Sequence, residues 1–551
     1  MPEKTRPTPG KTRRSWAFRI GLGFLSALVA LALVEAVARL AFAPPVFRAN
    51  LGYDPELGFS AHPGSVVEFT DERGKFSTRL NSLGLRGPEL PPPGAPKPDG
   101  VRRLVFAGDS FLYAQAVRDE ELVSRATVRE LATRGIRADE YNLTCTDYST
   151  AQELLLLRKY GPDLRPDAVV LLLYPGNDVA NNCLELAGKT RGNDGDYLRP
   201  YLDTSGTEVR YLHPVRAFLR NRLRSFALLE KQLLAATGAR GWRPIQEGDL
   251  DLDESNNAAL RQHEPGDDWD IAWQRTEGLL RVFRDEVRAL GARFLVVVIP
   301  QRNQVQREAY NRPLYDPELA GGLDWNLPEK RLQAFFAREG IDALLLLEVL
   351  RAALLSDPGA LYAPDFHLTG RAHVLAAQRI AAWAAGDASD ELVSASFTQP
   401  VDLVSPERCP AFVDLASAPR FECLSEGWFP WRADWFGQGA GVAMGARSVI
   451  LLRNCGGDLL VRGSLPRKAL GLPWTLELAL DGRALAQSFP IPSPGPFEIR
   501  VRAEELPPEG APLAEVALLV RETASAEGNR RAPWTLVVHQ VGFQCAGEAS
   551  R

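Results

Sequence analysis

Residues 103–113 read Arg-Leu-Val-Phe-Ala-Gly-Asp-Ser-Phe-Leu-Tyr, and the fold turns on how that stretch is taken. Leu104, Val105 and Phe106 form an apolar run that stops at Gly108-Asp109-Ser110 and gives way to a helix-like segment. Such a run reads as a buried strand of a parallel sheet. Gly108 permits a tight turn, and Ser110 then stands at the strand's carboxyl end, where open α/β sheets gather their reactive groups. A serine there is a nucleophile, a helix cap, which Asp and Ser commonly are at a helix start, or neither.

Outward from this strand the chain alternates. A helix is expected over Leu122–Arg134, a strand over Asp139–Thr144 and a helix over Ala151–Tyr160. The Val/Leu run Ala168–Tyr174 then reads as a central parallel strand, ending in Pro175-Gly176-Asn177-Asp178. Residues 179–270 break the rhythm with a basic helix, Val215–Ala236, and an acidic stretch, Glu247–Asp270. So long a connection reads as an inserted subdomain or a lid over the strand ends. The alternation resumes with helix Trp273–Leu290, strand Arg293–Pro300, helix Glu329–Glu339 and the apolar stretch Ile341–Leu355. Ala363-Pro364-Asp365-Phe366-His367 then leads into a helix over Arg371–Ala385. The expected fold class is α/β, a doubly wound parallel sheet over residues 101–388.

On either side the character changes. Residues 44–100 form a lead-in of short strand pairs closed by a linker, Leu90–Gly100, with five prolines and two glycines. After Ala388, strand-like runs such as Ser448–Arg453, Asp458–Arg462, Thr475–Leu480 and Glu515–Val520 are parted by Gly and Pro turns. These predict an antiparallel β-sandwich over residues 395–551.

The charge is unremarkable except at the start. The net charge is −5 with no dominant basic face, so nucleic acid is not an expected partner. Lys4, Arg6, Lys11, Arg13, Arg14 and Arg19 precede a mostly apolar segment, residues 20–43, in which Glu35 and Arg39 can pair at i, i+4. Basic tail 1–19, apolar segment and Pro44-Pro45 fit a membrane-spanning signal anchor, with the N-terminus cytoplasmic and the remainder outside. Ala41-Phe42-Ala43 also resembles a signal-peptide cleavage site. Six cysteines in an oxidising space make disulfides plausible: Cys409 and Cys423 are close in sequence, and Cys455 can meet Cys545. No metal site or cofactor is expected, because no Cys-x-x-Cys or His-x-x-x-His pair is present.

Six histidines are available to serve Ser110, and His367 follows Asp365 on a loop that opens a helix late in the α/β region. Imidazole and carboxylate there can reach the sheet edge that carries Ser110, as a triad requires. Asn177 follows the central strand and can aim an amide N–H at an oxyanion beside Ser110. Trp428, Trp431 and Trp435 are either β-domain core or a platform for a sugar ring.

Together Gly108-Asp109-Ser110, Gly176-Asn177-Asp178 and Asp365-Phe366-His367 resemble the first, third and last blocks of the SGNH (GDSL-type) hydrolase family. The resemblance implies a flavodoxin-like sheet, Ser110 as nucleophile, His367 as base and Asp365 as its orienting carboxylate. It implies Asn177 and the backbone N–H of Ser110 as oxyanion donors. The lead-in Asn81–Gly87 and the anchor are similar to those of membrane-anchored bacterial members. Where the family's second block supplies a glycine N–H, this chain has Asp147. Its backbone can still donate, but a carboxylate beside a developing oxyanion is unfavourable unless it turns away or is neutralised. The expected activity is hydrolysis of ester-linked acyl groups, on an acylated cell-envelope or extracellular polysaccharide or on a small ester. Transfer of the acyl group by the same triad, or glycan binding without catalysis, are the alternatives.

Overall fold

The computed structural model describes residues 11–42, 46–48, 51–71, 73–115, 117–187, 198–237, 260, 266–307, 324–357, 360–363, 366–387, 397–403, 411–415, 423–424, 428–432, 441–444, 447–465, 474–491, 495–506, 512–522 and 536–545. It opens on a single long helix, α1 (Lys11–Ala41), whose part Phe18–Ala41 has a mean hydropathy of 2.3; its most apolar 18 residues are unburied, and Ala38 near its end is buried. That length and composition suffice to cross a membrane. The lead-in is two antiparallel units, β1–β3 (Val46–Arg48, Leu51–Asp54, Gly58–Ala61) and the hairpin β4–β5 (Val66–Asp71, Gly74–Arg79).

The α/β region begins with β6 (Val101–Gly108), the four-residue helix α2 (Ser110–Tyr113), α3 (Val123–Thr133), β7 (Arg137–Thr144), α4 (Thr150–Leu164), β8 (Ala168–Leu173) and α5 (Pro175–Asn181). The long connection then holds a two-residue hairpin, β9–β10 (Tyr201–Leu202, Val209–Arg210), and two helices, α6 (Pro214–Arg222) and α7 (Arg224–Thr237). One basic helix is expected there from sequence; the structure breaks it at Leu223. Next come α8 (Asp267–Ala289), β11 (Arg293–Val298), α9 (Arg302–Val305), β12 (Gln306–Arg307), α10 (Leu327–Glu339), β13 (Asp342–Leu345), α11 (Leu346–Ser356), α12 (Gly370–Ala385) and β14 (Val401–Asp402).

Five strands pair in parallel in the order β13-β11-β8-β6-β7, the flavodoxin-like order. Alternation along β6 sends its side chains to opposite faces. Val105 and Ala107 join one core with Leu154 and Leu157 of α4, Leu279 and Phe283 of α8 and Phe335 of α10. Leu104 and Phe106 join the other with Val123 of α3, Leu350 of α11 and Ile380 of α12. Helices therefore cover both faces, as a doubly wound sheet requires. β6 and β8 are neighbours from which the chain crosses to opposite edges, to β7 and to β11, so the crevice between their carboxyl ends is the switch point of the sheet.

A strap closes the region. β14 pairs in parallel with β12, Thr398 N donates to Glu348 Oε1 at 3.0 Å, and Arg351 Nη1 donates to Thr398 O at 2.6 Å. Val401 and Leu403 are buried in the same core as Phe106.

The C-terminal region is antiparallel. One sheet runs β16-β17-β24-β19-β22 with β15 alongside β24, and the other runs β18-β23-β20-β21. The strands are β15 (Phe412–Asp414), β16 (Trp428–Arg432), β17 (Gly441–Met444), β18 (Arg447–Arg453), β19 (Asp458–Leu465), β20 (Trp474–Leu480), β21 (Arg483–Ile491), β22 (Gly495–Val501), β23 (Leu513–Glu522) and β24 (Leu536–Gln544). Ile450, Leu476 and Val516 of one sheet share a core with Val461, Ile499 and Val541 of the other, which makes the pair a sandwich. Cys455 and Cys545 are disulfide-bonded, and Cys423 is also disulfide-bonded; Cys409 lies outside the described residues.

Candidate active site

β6 delivers Ser110. Gly108 is where the strand passes closest to its neighbours: a Cβ there would sit 2.9 Å from Leu112 Cβ and 3.1 Å from Leu172 Cβ. Asp109, not Ser110, caps the short helix α2, its Oδ1 accepting from Phe111 N at 2.9 Å. The capping role falls to the aspartate, and the Ser110 hydroxyl is left to face His367, with Nε2 2.8 Å from Oγ.

His367 comes from the loop between α11 and α12. Its carbonyl accepts from Ala363 N at 2.7 Å, and Phe366 before it takes a left-handed φ of 68° with its N–H donated to Ala363 O. The imidazole rests against the Phe111 ring at 4.9 Å between centroids, and Phe111 leans in turn on Tyr174 at 4.2 Å. Asp365 lies outside the described residues.

β8 delivers Asn177 on the first turn of α5. Its Nδ2 donates to Asp109 Oδ2 at 2.7 Å, which fixes the amide with its N–H side toward the loop that carries Ser110. Ser110, His367 and Asn177 therefore converge at the switch point.

Asp147 sits beyond β7 with φ 62°, the left-handed region where glycine is unstrained. This is the physical reason a glycine suits the position. Its neighbour is Arg199 from the long connection, a completely buried guanidinium whose Nη2 donates to Asp147 O at 3.1 Å and stands 3.4 Å from Oδ2. The carboxylate is thus matched by a cation. Nothing local in the sequence marks Arg199, which lies in a polar stretch between Leu198 and Pro200.

Beneath the site three carboxyls are fully buried. Burial pushes Asp109 up from the ordinary carboxyl range, against the Asn177 and Phe111 hydrogen bonds and the nearby His367. Burial and the mutual proximity of Asp109, Asp178 and Glu153 push the latter two well above it. Asp178 is held by Tyr174 N, which donates to Oδ2 at 2.8 Å. A second histidine, His373 on α12, accepts from Val123 N at Nδ1 at 3.1 Å; burial, chiefly, and the charge of Arg86 bring it down to about 3. Arg86, from the lead-in motif Asn81–Gly87, is buried and donates to the carbonyls of Tyr113, Ala114 and Val117 and to Asp119 Oδ1. It clamps the turn that follows Ser110. Among the described residues no cluster of three His, Cys, Asp or Glu is arranged to hold a metal ion.

Fold and geometry define a doubly wound α/β protein with a serine–histidine pair at its switch point. No protein-family model and no curated protein matches the chain. Solved structures do. One is "TesA", 13% identical, covering 51% of this chain and 98% of that one, with a TM-score of 0.26. A second is a two-domain esterase active on acetylated mannans, co-crystallized with mannopentaose: 12% identity, 80% of this chain, 92% of that one, TM-score 0.25. A third is the acetyl xylan esterase AlAXEase, 13% identical over 51% of this chain and 98% of that one, TM-score 0.26.

Proposed function

We propose that the chain is a membrane-anchored, extracytoplasmic serine esterase of the SGNH type. The observation that carries this reading is the 2.8 Å contact between His367 Nε2 and Ser110 Oγ at the switch point of a parallel sheet. Ser110 Oγ attacks the ester carbonyl while Nε2 takes its proton. The oxyanion receives hydrogen bonds from the second N–H of the Asn177 amide and from the backbone N–H groups of Ser110 and Asp147. The imidazolium then protonates the leaving alcohol. Water, deprotonated by His367, releases the acid and restores Ser110. Asp365 is assigned the role of orienting His367.

Arg199 beside Asp147 supports catalysis over glycan binding alone, because the carboxylate on the residue whose N–H is assigned to the oxyanion is compensated. Acylated polysaccharide of the cell envelope is the substrate class assigned, from an anchor at one end of the chain and a β-sandwich at the other. A fluorophosphonate probe is expected to label Ser110, and Ser110→Ala to abolish both labelling and turnover of aryl acetates. An unlabelled, folded wild-type protein would sink the reading.

A further inference from the structure

The long connection carries an unexpected attachment. Glu35, six residues before the end of α1, receives hydrogen bonds at Oε1 from Arg224 N (2.8 Å) and at Oε2 from Ser225 N (2.9 Å) and Ser225 Oγ (2.7 Å). It thereby satisfies two of the open N–H groups in the first turn of α7. Arg39 Nη2 donates to Arg222 O at 2.7 Å, and Arg224 Nη1 donates to Phe42 O at 3.0 Å. The junction between α6 and α7 is therefore fixed to the last turns of the apolar helix.

At 1.5 Å per residue, Glu35 lies about 9 Å before the end of α1. Helices that lie in a membrane surface sit about 5–10 Å into the boundary between headgroups and acyl chains. The α6–α7 pair has the side chains for that position. Val215 and Phe218, spaced i, i+3 on α6, are 73% and 61% exposed, and Leu229 on α7 is 57% exposed. Arg216, Arg220, Arg222, Arg224 and Lys231 stand against the single acid Glu230 between residues 214 and 231. Arg216 and Arg220 both pair with Glu230, and the Arg222 guanidinium lies 5.7 Å from the Phe218 ring. Arg220 also faces the ring of Tyr53 at 5.9 Å, which ties α6 to the lead-in.

We propose that α6 and α7 form an interfacial hairpin that lies in the surface of a bilayer with anionic headgroups, with Val215, Phe218 and Leu229 in the acyl boundary and the excess arginines at the phosphates. The hairpin sets the standing height of the α/β region above the membrane. This rests on the reading of α1 as a span.

Full-length protein in phosphatidylcholine–phosphatidylglycerol vesicles carries the test. An environment-sensitive fluorophore is attached at Phe218→Cys or Leu229→Cys, the free thiols among the described residues, Cys145 and Cys183, being buried. Leu28→Cys on α1 reports the span and exposed Arg483→Cys on β21 reports water. Lipids with spin labels placed shallow or deep on the acyl chain act as quenchers. Residues 218 and 229 are expected to be quenched most by the shallow label, about twofold or more above residue 483, and residue 28 most by the deep one. If 218 and 229 behave like 483 while 28 is quenched by the deep label, the hairpin proposal falls and the anchor stands. If 28 is not quenched, the anchor reading falls and the proposal with it.

Discussion

Replacing Arg199 by methionine strikes the proposed chemistry at its least expected support. The guanidinium is completely buried and lies 3.4 Å from Asp147 Oδ2. Without it a bare carboxylate remains on the residue whose N–H is assigned to the oxyanion. With the two negative charges about 6 Å apart and an effective dielectric of about 20, their repulsion is about 3 kcal/mol. That corresponds to roughly a hundredfold in kcat/KM. Breaking a buried pair from one side also destabilises by about 3–5 kcal/mol. The single variant is therefore compared with Arg199→Met/Asp147→Gly, which removes both charges and puts glycine at a φ of 62°. Hydrolysis of nitrophenyl acetate is followed alongside urea unfolding. Arg199→Met is expected to lose roughly a hundredfold while still folded, and the double variant to recover to within about threefold of wild type. A folded Arg199→Met with full activity, or a double variant as slow as the single one, would refute the compensation.

Three further outcomes follow, two of them from buried groups. His373 is held neutral down to about 3, whereas the unfolded chain binds a proton near 6.5. Its contribution to stability is complete above 6.5 and is lost as pH falls toward 3, so His373→Gln should flatten the acid limb by up to about 1.4 kcal/mol per pH unit in urea titrations. An unchanged slope would contradict this. Glu153 has the opposite sign. Its carboxyl is raised by burial, so its stabilising contribution is complete below the unfolded value of 4.5 and lost as pH rises through the folded one. Glu153→Gln should raise the thermal midpoint at neutral pH relative to wild type; no gain would count against a raised Glu153 carboxyl. The disulfide Cys455–Cys545 closes a separation of 90 residues. Replacing both cysteines with alanine should destabilise the sandwich by about 4–5 kcal/mol in the chain-entropy account, read as a lower thermal midpoint with fluorophosphonate labelling of Ser110 retained.

Much of the parallel sheet is legible because its strands announce themselves. Leu104–Phe106 and Ala168–Tyr174 are short apolar runs stopped by Gly or Pro, and β6 and β8 stand there. The run Ile341–Leu355 is not legible in the same way. It changes from β13 to α11 between Leu345 and Leu346, inside the unbroken apolar run Ala343–Leu347, which periodicity cannot divide. β21, Arg-Ala-Leu-Ala-Gln-Ser-Phe-Pro-Ile, goes unread because its alternation is weak and it holds a proline. At the site, Ser110, Asn177 and His367 are visible as residue types at strand ends. Arg199 is not, since its meaning lies in a contact 52 residues away. Nor is the use of Glu35: the i, i+4 pair with Arg39 is readable, and its grip on α7 is tertiary.

The strap at 397–403 bears on how the chain is made. Val401 and Leu403 complete the core beneath Phe106, and Thr398 is clamped by Glu348 and Arg351. During synthesis, then, the α/β layer stays unsealed along that face until residue 403 has left the ribosome. A fragment cut at 388 would hold every residue of the proposed chemistry and still lack the stitch that shuts its floor.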